Sequence, residues 1–311
     1  SLLAATALFA LTAAAAAPAS AAELKSVGIT VGSLGTPFFV QIAKGAEAKA
    51  KEIGGPDTNV TVVSSDYDLN KQFTQIDNFI ASGVDLILLN AADPKAIVPA
   101  IKRAQAAGIV VVAVDVAAAG ADATVQTNNV QAGQIACRFI ADKLGEEGGK
   151  VIIQNGPQVS AVIDRVQGCK EVLAQNPKIE ILSDDQDGKG SREGGLNIMQ
   201  GHLTRFPEID AVFTINDPQA IGSDLAAKQL GRSEFIITSV DGAPDIEGAL
   251  QRETLIQASA SQDPYAMAQK AVEVGYDIMN GKAPEDPMIL MPSTLITRDN
   301  VQDYQGWSAP R

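Results

Sequence analysis

Val84-Asp85-Leu86-Ile87-Leu88-Leu89-Asn90 and, one helix-length later, Ile109-Val110-Val111-Val112-Ala113-Val114-Asp115 decide the fold of this chain. Each is an almost unbroken apolar run that stops on an Asx residue. A strand with one wet face alternates polar and apolar positions, whereas unbroken hydrophobic strands belong to parallel sheets covered on both faces. Working outward, strands are expected at residues 27–31, 60–64, 84–90 and 109–115, and again at 151–155, 179–183, 211–216 and 235–241. Amphipathic helices are expected between them at 40–53, 71–82, 94–107, 131–144, 162–174, 193–204 and 218–230. Strand–helix alternation at this spacing gives right-handed βαβ units and doubly wound sheets.

Four βα steps occur twice, so the fold class is α/β with two similar doubly wound parallel-sheet lobes. Residues 118–129 break the alternation and read as a first crossover. Residues 255–262 lead into a further helical stretch, 264–280, and then the apolar run 288–296. That tail is too short for a lobe of its own and is expected to return to the existing ones, making three crossover segments. The expected lobes are 23–126 plus 262–287, and 127–261 plus 288–311. Asp93-Pro94, Asp217-Pro218 and Asp263-Pro264 each place a carboxylate in position to cap a helix that starts at proline. Gly108 and Gly231 stand where helices should stop.

Composition narrows the function. The 311 residues include 37 acidic and 24 basic side chains, for a net charge of −13. Such a surface repels nucleic acid and anionic lipid. One histidine, His202, and two cysteines cannot make a four-ligand zinc site. Residues 1–22 carry no charge, and twelve of them are alanine. Their apolar stretch is too short to span a bilayer and is followed by small residues, as in a secretory signal peptide. Export to the periplasm follows as an expectation. There Cys137 and Cys169, on the helices flanking one strand, are either a disulfide or two buried thiols.

The strand ends carry the chemistry. Asn90, Asp115, Asn155, Asn216 and Asp241 each close an apolar run, and ligands of open α/β sheets bind beyond the carboxyl ends of strands. Amides and carboxylates together suit a ligand rich in hydroxyls. The bland reading, Asx residues as turn formers and caps, weighs on each singly; Asn90 and Asn216 lie outside the capping position before proline. Phe38 and Phe39 stand together at a helix start after Gly32-Ser33-Leu34-Gly35-Thr36-Pro37. Adjacent residues there are not expected to share one core, so at least one ring should face the cleft; the competing reading packs both under the loop. Arg165 either forks onto ligand oxygens or pairs at the surface with Asp164 or Glu171. Catalytic motifs are missing: Val151 follows Lys150 where a phosphate loop needs Ser or Thr, and there is no G-x-S-x-G elbow.

Thr36-Pro37-Phe38-Phe39, Leu88-Leu89-Asn90, Val114-Asp115, the stretches 195–200 and 211–217, Val240-Asp241-Gly242 and Gln262-Asp263-Pro264 together resemble the periplasmic solute-binding proteins of sugar ABC transporters, the ribose-binding-protein-like (type I) family. The resemblance spans residues 24–297. It implies a cleft that closes on one monosaccharide or polyol, delivery to a membrane permease, a monomer, and no enzyme activity, cofactor or metal. It also implies that Phe38 and Phe39 flank the sugar ring, while Asn90, Asp115, Arg165, Asn216, Asp241 and Gln262 bond its hydroxyls. Ribose receptors of the family carry Asn where Thr36 stands, Arg where Val116 stands and an aromatic near Gly190, so another sugar, a polyol or an amino sugar is open. A periplasmic sugar-processing enzyme on the same scaffold is the alternative. A soluble repressor core has the same fold but not an export segment.

Overall fold

The computed structural model describes residues 21–310, so the expected signal peptide, apart from Ala21 and Ala22, lies outside the described residues. The first sheet contains β1 (Ser26–Val31), β2 (Asn59–Ser64), β3 (Leu86–Leu89), β4 (Val110–Val114), β5 (Ala123–Thr127) and β11 (Met288–Met291), in the order β11-β5-β4-β3-β1-β2. The second contains β6 (Gly149–Gln154), β7 (Ile179–Ser183), β8 (Ala211–Thr214), β9 (Ile236–Asp241), β10 (Ile256–Ser261) and β12 (Leu295–Thr297), in the order β12-β10-β9-β8-β6-β7. The two orders are the same winding repeated. Every pairing is parallel except β10 with β12.

The unbroken apolar strands are explained by what lies on each side of them. Leu86, Leu88, Val112 and Val114 face a core shared with α1 (Pro37–Gly54) and α9 (Pro264–Met279). Ile87, Leu89, Val111 and Ala113 face the opposite core, which includes Ile76 of α2 (Leu69–Ser82) and Ile101 of α3 (Val98–Ala106). With both faces covered, no position on these strands tolerates a polar side chain without loss of burial.

The structure corrects three boundaries. The crossover 118–129 contains a complete strand, β5; its sequence Ala-Thr-Val-Gln-Thr is polar, yet all five residues are buried. Residues 288–291 were expected in the second lobe, but β11 pairs in register with β5 of the first sheet; only β12 joins the second. The helix expected from Pro94 begins at Val98, because Asp93 accepts hydrogen bonds from the amides of Lys95 and Ala96 within a turn. The chain passes between sheets after β5, after β10 and between β11 and β12.

Cys137 of α4 (Asn129–Leu144) and Cys169 of α5 (Ser160–Leu173) form a disulfide, with Cα atoms 5.1 Å apart. The two helices touch through glycine: a Cβ on Gly133 would collide with the Arg165 carbonyl oxygen, and one on Gly168 with that of Val130. Bond and glycines together hold α4 and α5 backbone to backbone.

Candidate functional site

Asp115 directly follows β4, and Asp241 is the last residue of β9; these are the equivalent strands of the two sheets. Both adopt positive φ, 72° and 141°. Non-glycine residues in such conformations cost about 1–3 kcal/mol each, and aspartate bears the left-handed region better than most. The turn swings each carboxylate off its strand axis into the space beyond the sheet. Asn90, at the end of β3, donates from Nδ2 to Asp115 Oδ2 at 2.9 Å and to the Val114 carbonyl at 3.3 Å. Gln262, just after β10, donates to Asp241 Oδ1 at 2.7 Å and accepts from the Thr127 hydroxyl at 2.7 Å. It thereby ties the second sheet to the end of β5, where the chain crosses.

Arg165 is 5% exposed and carries no surface pair. Its Nε donates to Asn129 Oδ1 and its Nη1 to the Ile215 carbonyl, each at 2.9 Å, and Nη1 lies 3.6 Å from Asp241 Oδ1. The α4–α5 contact sets this position, since Asn129 begins α4 and Arg165 sits in α5. Asp217 packs beneath: its carboxylate accepts from Ser239 and Ser259 hydroxyls and from the Ala243 amide.

Two carboxylates, Asp115 and Asp241, therefore feel the Arg165 guanidinium, and a third, Asp217, feels the Asp241 charge. Burial raises all three pKa values; the neighbouring Asp241 charge adds to the rise for Asp115 and Asp217, while Arg165 opposes it for Asp115 and Asp241. Asp115 is pushed up to about 6. The charges of Arg165, on α5, and Asp241, on β9, reach Asp115 of the first sheet, in keeping with the Thr127–Gln262 bond that joins the two sets of strand ends. A folded-state pKa above the unfolded value binds a proton more tightly in the folded chain, so the stability it lends is full at low pH and declines as pH rises. Between about pH 4 and 6 the wild type is expected to lose up to about 3 kcal/mol through Asp115. In Asp115→Asn that share of the slope should disappear in denaturant titrations. Parallel pH profiles for the two chains would contradict the assignment.

Not every expected site residue joins this group. Asn216 is the N-cap of α7 (Asp217–Leu230), accepting from the Gln219 amide and donating to the Gly190 carbonyl. This corrects two readings: Asn216 does cap, and Asp217 does not, because its carboxylate turns into the sheet toward the two serines. Asn155 is used locally, donating to the Asp184 carbonyl and accepting from Gly156. Asp263 caps α9 as expected, accepting from Ala266.

Phe38 and Phe39 correct a third reading, since both rings enter one core, 9% and 6% exposed. They pack edge to face at 5.3 Å, and Trp307 covers Phe38 at 5.6 Å. A tail residue supplies the wall that makes this shared burial feasible. Asn129, Asp217 and Tyr67, whose ring lies 6.4 Å from Phe39, were absent from the sequence-derived set. Only Tyr67 carried a signal, an aromatic ring in a polar loop directly after a strand.

Contacts bridge the two halves at the gap. The Ala117 amide donates to the Ser160 hydroxyl at 3.2 Å, and Ala161 at the start of α5 packs in the core that holds Val116 and Ala118. Two equivalent doubly wound lobes whose strand tips meet over a polar gap define a bilobal cleft protein. The periplasmic binding protein domain matches residues 27–283, and this chain belongs to that family. It is 32% identical to the ribose import binding protein RbsB of Bacillus subtilis over 259 residues, 83% of this chain and 82% of that one. It is 30% identical to the xylitol-binding protein of Mycolicibacterium smegmatis, across 91% of this chain and 80% of the other. Among solved structures, an ABC transporter solute-binding protein of Bacillus halodurans with bound myo-inositol superposes with a TM-score of 0.82 at 25% identity, covering 91% of this chain and 98% of that one.

Proposed function

We propose that this chain is an exported, monomeric receptor that captures a monosaccharide or related polyol between its lobes and delivers it to the membrane permease of an ABC transporter. The observation that carries the reading is the convergence of Asn90 and Asp115 from one lobe with Arg165 and Asp241 from the other, and with Gln262 at the crossing after β10. The family, and relatives named for ribose and xylitol import or binding, support the ligand class. In this reading the carboxylates accept from ligand hydroxyls, Arg165 donates, and Asn90 and Gln262 do either. Each hydrogen bond to a charged group contributes about 1.5–3 kcal/mol, so Asp115, Asp241 and Arg165 dominate affinity. Phe38 and Phe39 back the loop at the gap, and Asn216 shapes its far wall. A ligand that touches both lobes binds the closed arrangement better and shifts the population toward it. The lobes that close are 23–126 with 262–291, and 127–261 with 292–310, moving about the three crossings.

Thermal unfolding and calorimetry with pentoses, hexoses, pentitols, inositols and amino sugars test the reading. A cognate compound at a hundred times its Kd should stabilise the chain by about 2.7 kcal/mol and be recovered unchanged by NMR. Consumption of the compound would favour a sugar-processing enzyme, and no stabilisation by any class would refute the receptor.

A further inference from the structure

A third aromatic ring stands beside the phenylalanine pair, against Phe39. Tyr67, in the loop between β2 and α2, is 62% exposed, more than any other large apolar or aromatic side chain in the described residues. It follows Asp66, and both adopt left-handed backbone, φ 53° and 59°. Two such residues in succession, neither of them glycine, carry a conformational cost that an unconstrained surface loop would avoid. The consequence is positional. The ring is laid across Gly32, at the end of β1, so closely that a Cβ there would stand 2.5 and 2.6 Å from its Cε1 and Cζ atoms. Phe39 buttresses it edge to face at 6.4 Å. The hydroxyl end is desolvated, and the Asp115 charge acts on it; both effects raise its pKa, to about 12. Most of the side chain thus remains exposed, while the Asp115 charge reaches its hydroxyl end.

We infer that Tyr67 is a ligand-contacting, specificity-determining residue: its open face stacks on the apolar C–H face of a bound sugar or polyol, and its hydroxyl donates to a ligand oxygen beside Asp115. An amphipathic ring with a buttressed edge and a wet face provides large contact area with little loss of side-chain freedom. Gly32 is the floor on which the ring rests, and any side chain there lifts it. The inference rests on the receptor reading above and adds a contact that neither the strand-end residues nor the phenylalanine pair provides.

The test is a double-mutant cycle by calorimetry, with D-ribose, xylitol or myo-inositol as probe, whichever the wild type binds most tightly. Tyr67→Ala should bind at least twentyfold more weakly, and Tyr67→Phe, which keeps the ring, three- to tenfold. Gly32→Ala should weaken binding at least tenfold in the wild type but less than threefold in Tyr67→Ala, because the ring it displaces is already gone. Tyr67→Ala within threefold of wild type, or a Gly32→Ala effect equal in both backgrounds, overturns the inference alone. A Tyr67→Ala chain that cannot fold would make the ring structural and overturn it too. Failure of the wild type to bind any of the three probes would instead remove the receptor reading on which it stands.

Discussion

Asp241→Ala is expected to abolish measurable sugar or polyol binding while both lobes still fold. The carboxylate is the hub of the second wall: Gln262 donates to it, the Asp217 amide approaches it at 3.4 Å, and Arg165 stands beside it. Its removal takes away one charged carboxylate with two acceptor oxygens and leaves Arg165 without its nearest anion. Losing even two charge-assisted bonds costs at least about 3 kcal/mol, roughly a hundredfold in Kd. Folding should survive because the same substitution relieves the repulsion that raises the pKa of Asp115 and Asp217. Arg165 also keeps its bonds to Asn129 and the Ile215 carbonyl. Asp241→Asn separates charge from shape: it keeps an oxygen for Gln262 and should recover the fold fully and affinity only in part. Calorimetry beside a thermal melt decides the matter, and wild-type affinity in Asp241→Ala would remove this residue from the site.

Loss of the disulfide has the second large effect. Cys137 and Cys169 are 32 residues apart, and freeing a loop of that length in the unfolded chain costs about 3–4 kcal/mol. Cys137→Ala/Cys169→Ala should show that loss in denaturant titrations, with a somewhat larger m-value because the unbridged unfolded chain exposes more surface. The bond joins the two helices that present Asn129 and Arg165, so binding should weaken as well, whereas an equally destabilising cavity at Phe235, in the core on the other side of the second sheet, should leave affinity alone. Unchanged stability in the double variant would mean that the Gly133–Gly168 contact alone holds the pair.

The fold was legible wherever strands are apolar. Runs such as Leu86–Leu89 and Val110–Val114 gave away their position because each face meets its own core. β5 and β10 escaped because crossing strands carry threonine, serine and glutamine that bond between segments, as Thr127 does with Gln262, and hydrophobic pattern is silent about them. Strand-end chemistry was legible for Asn90, Asp115 and Asp241. It misled at Asn216 and Asp217, because which of two neighbouring polar residues caps a helix depends on what lies below, here Ser239 and Ser259. Phe38 and Phe39 failed for a like reason: Trp307, some 270 residues on, closes the pocket that admits both rings, and no local reading of a loop contains its distant lid.

The repeated winding of the two sheets has one further consequence. Asp115 and Asp241 occupy matching places in the two copies, but their companions diverge: Asn90 keeps its amide on Asp115, whereas its counterpart Asn216 spends its side chain on a helix end. A symmetric pair of halves is thus broken into unequal jaws, which present different groups to the two sides of the gap.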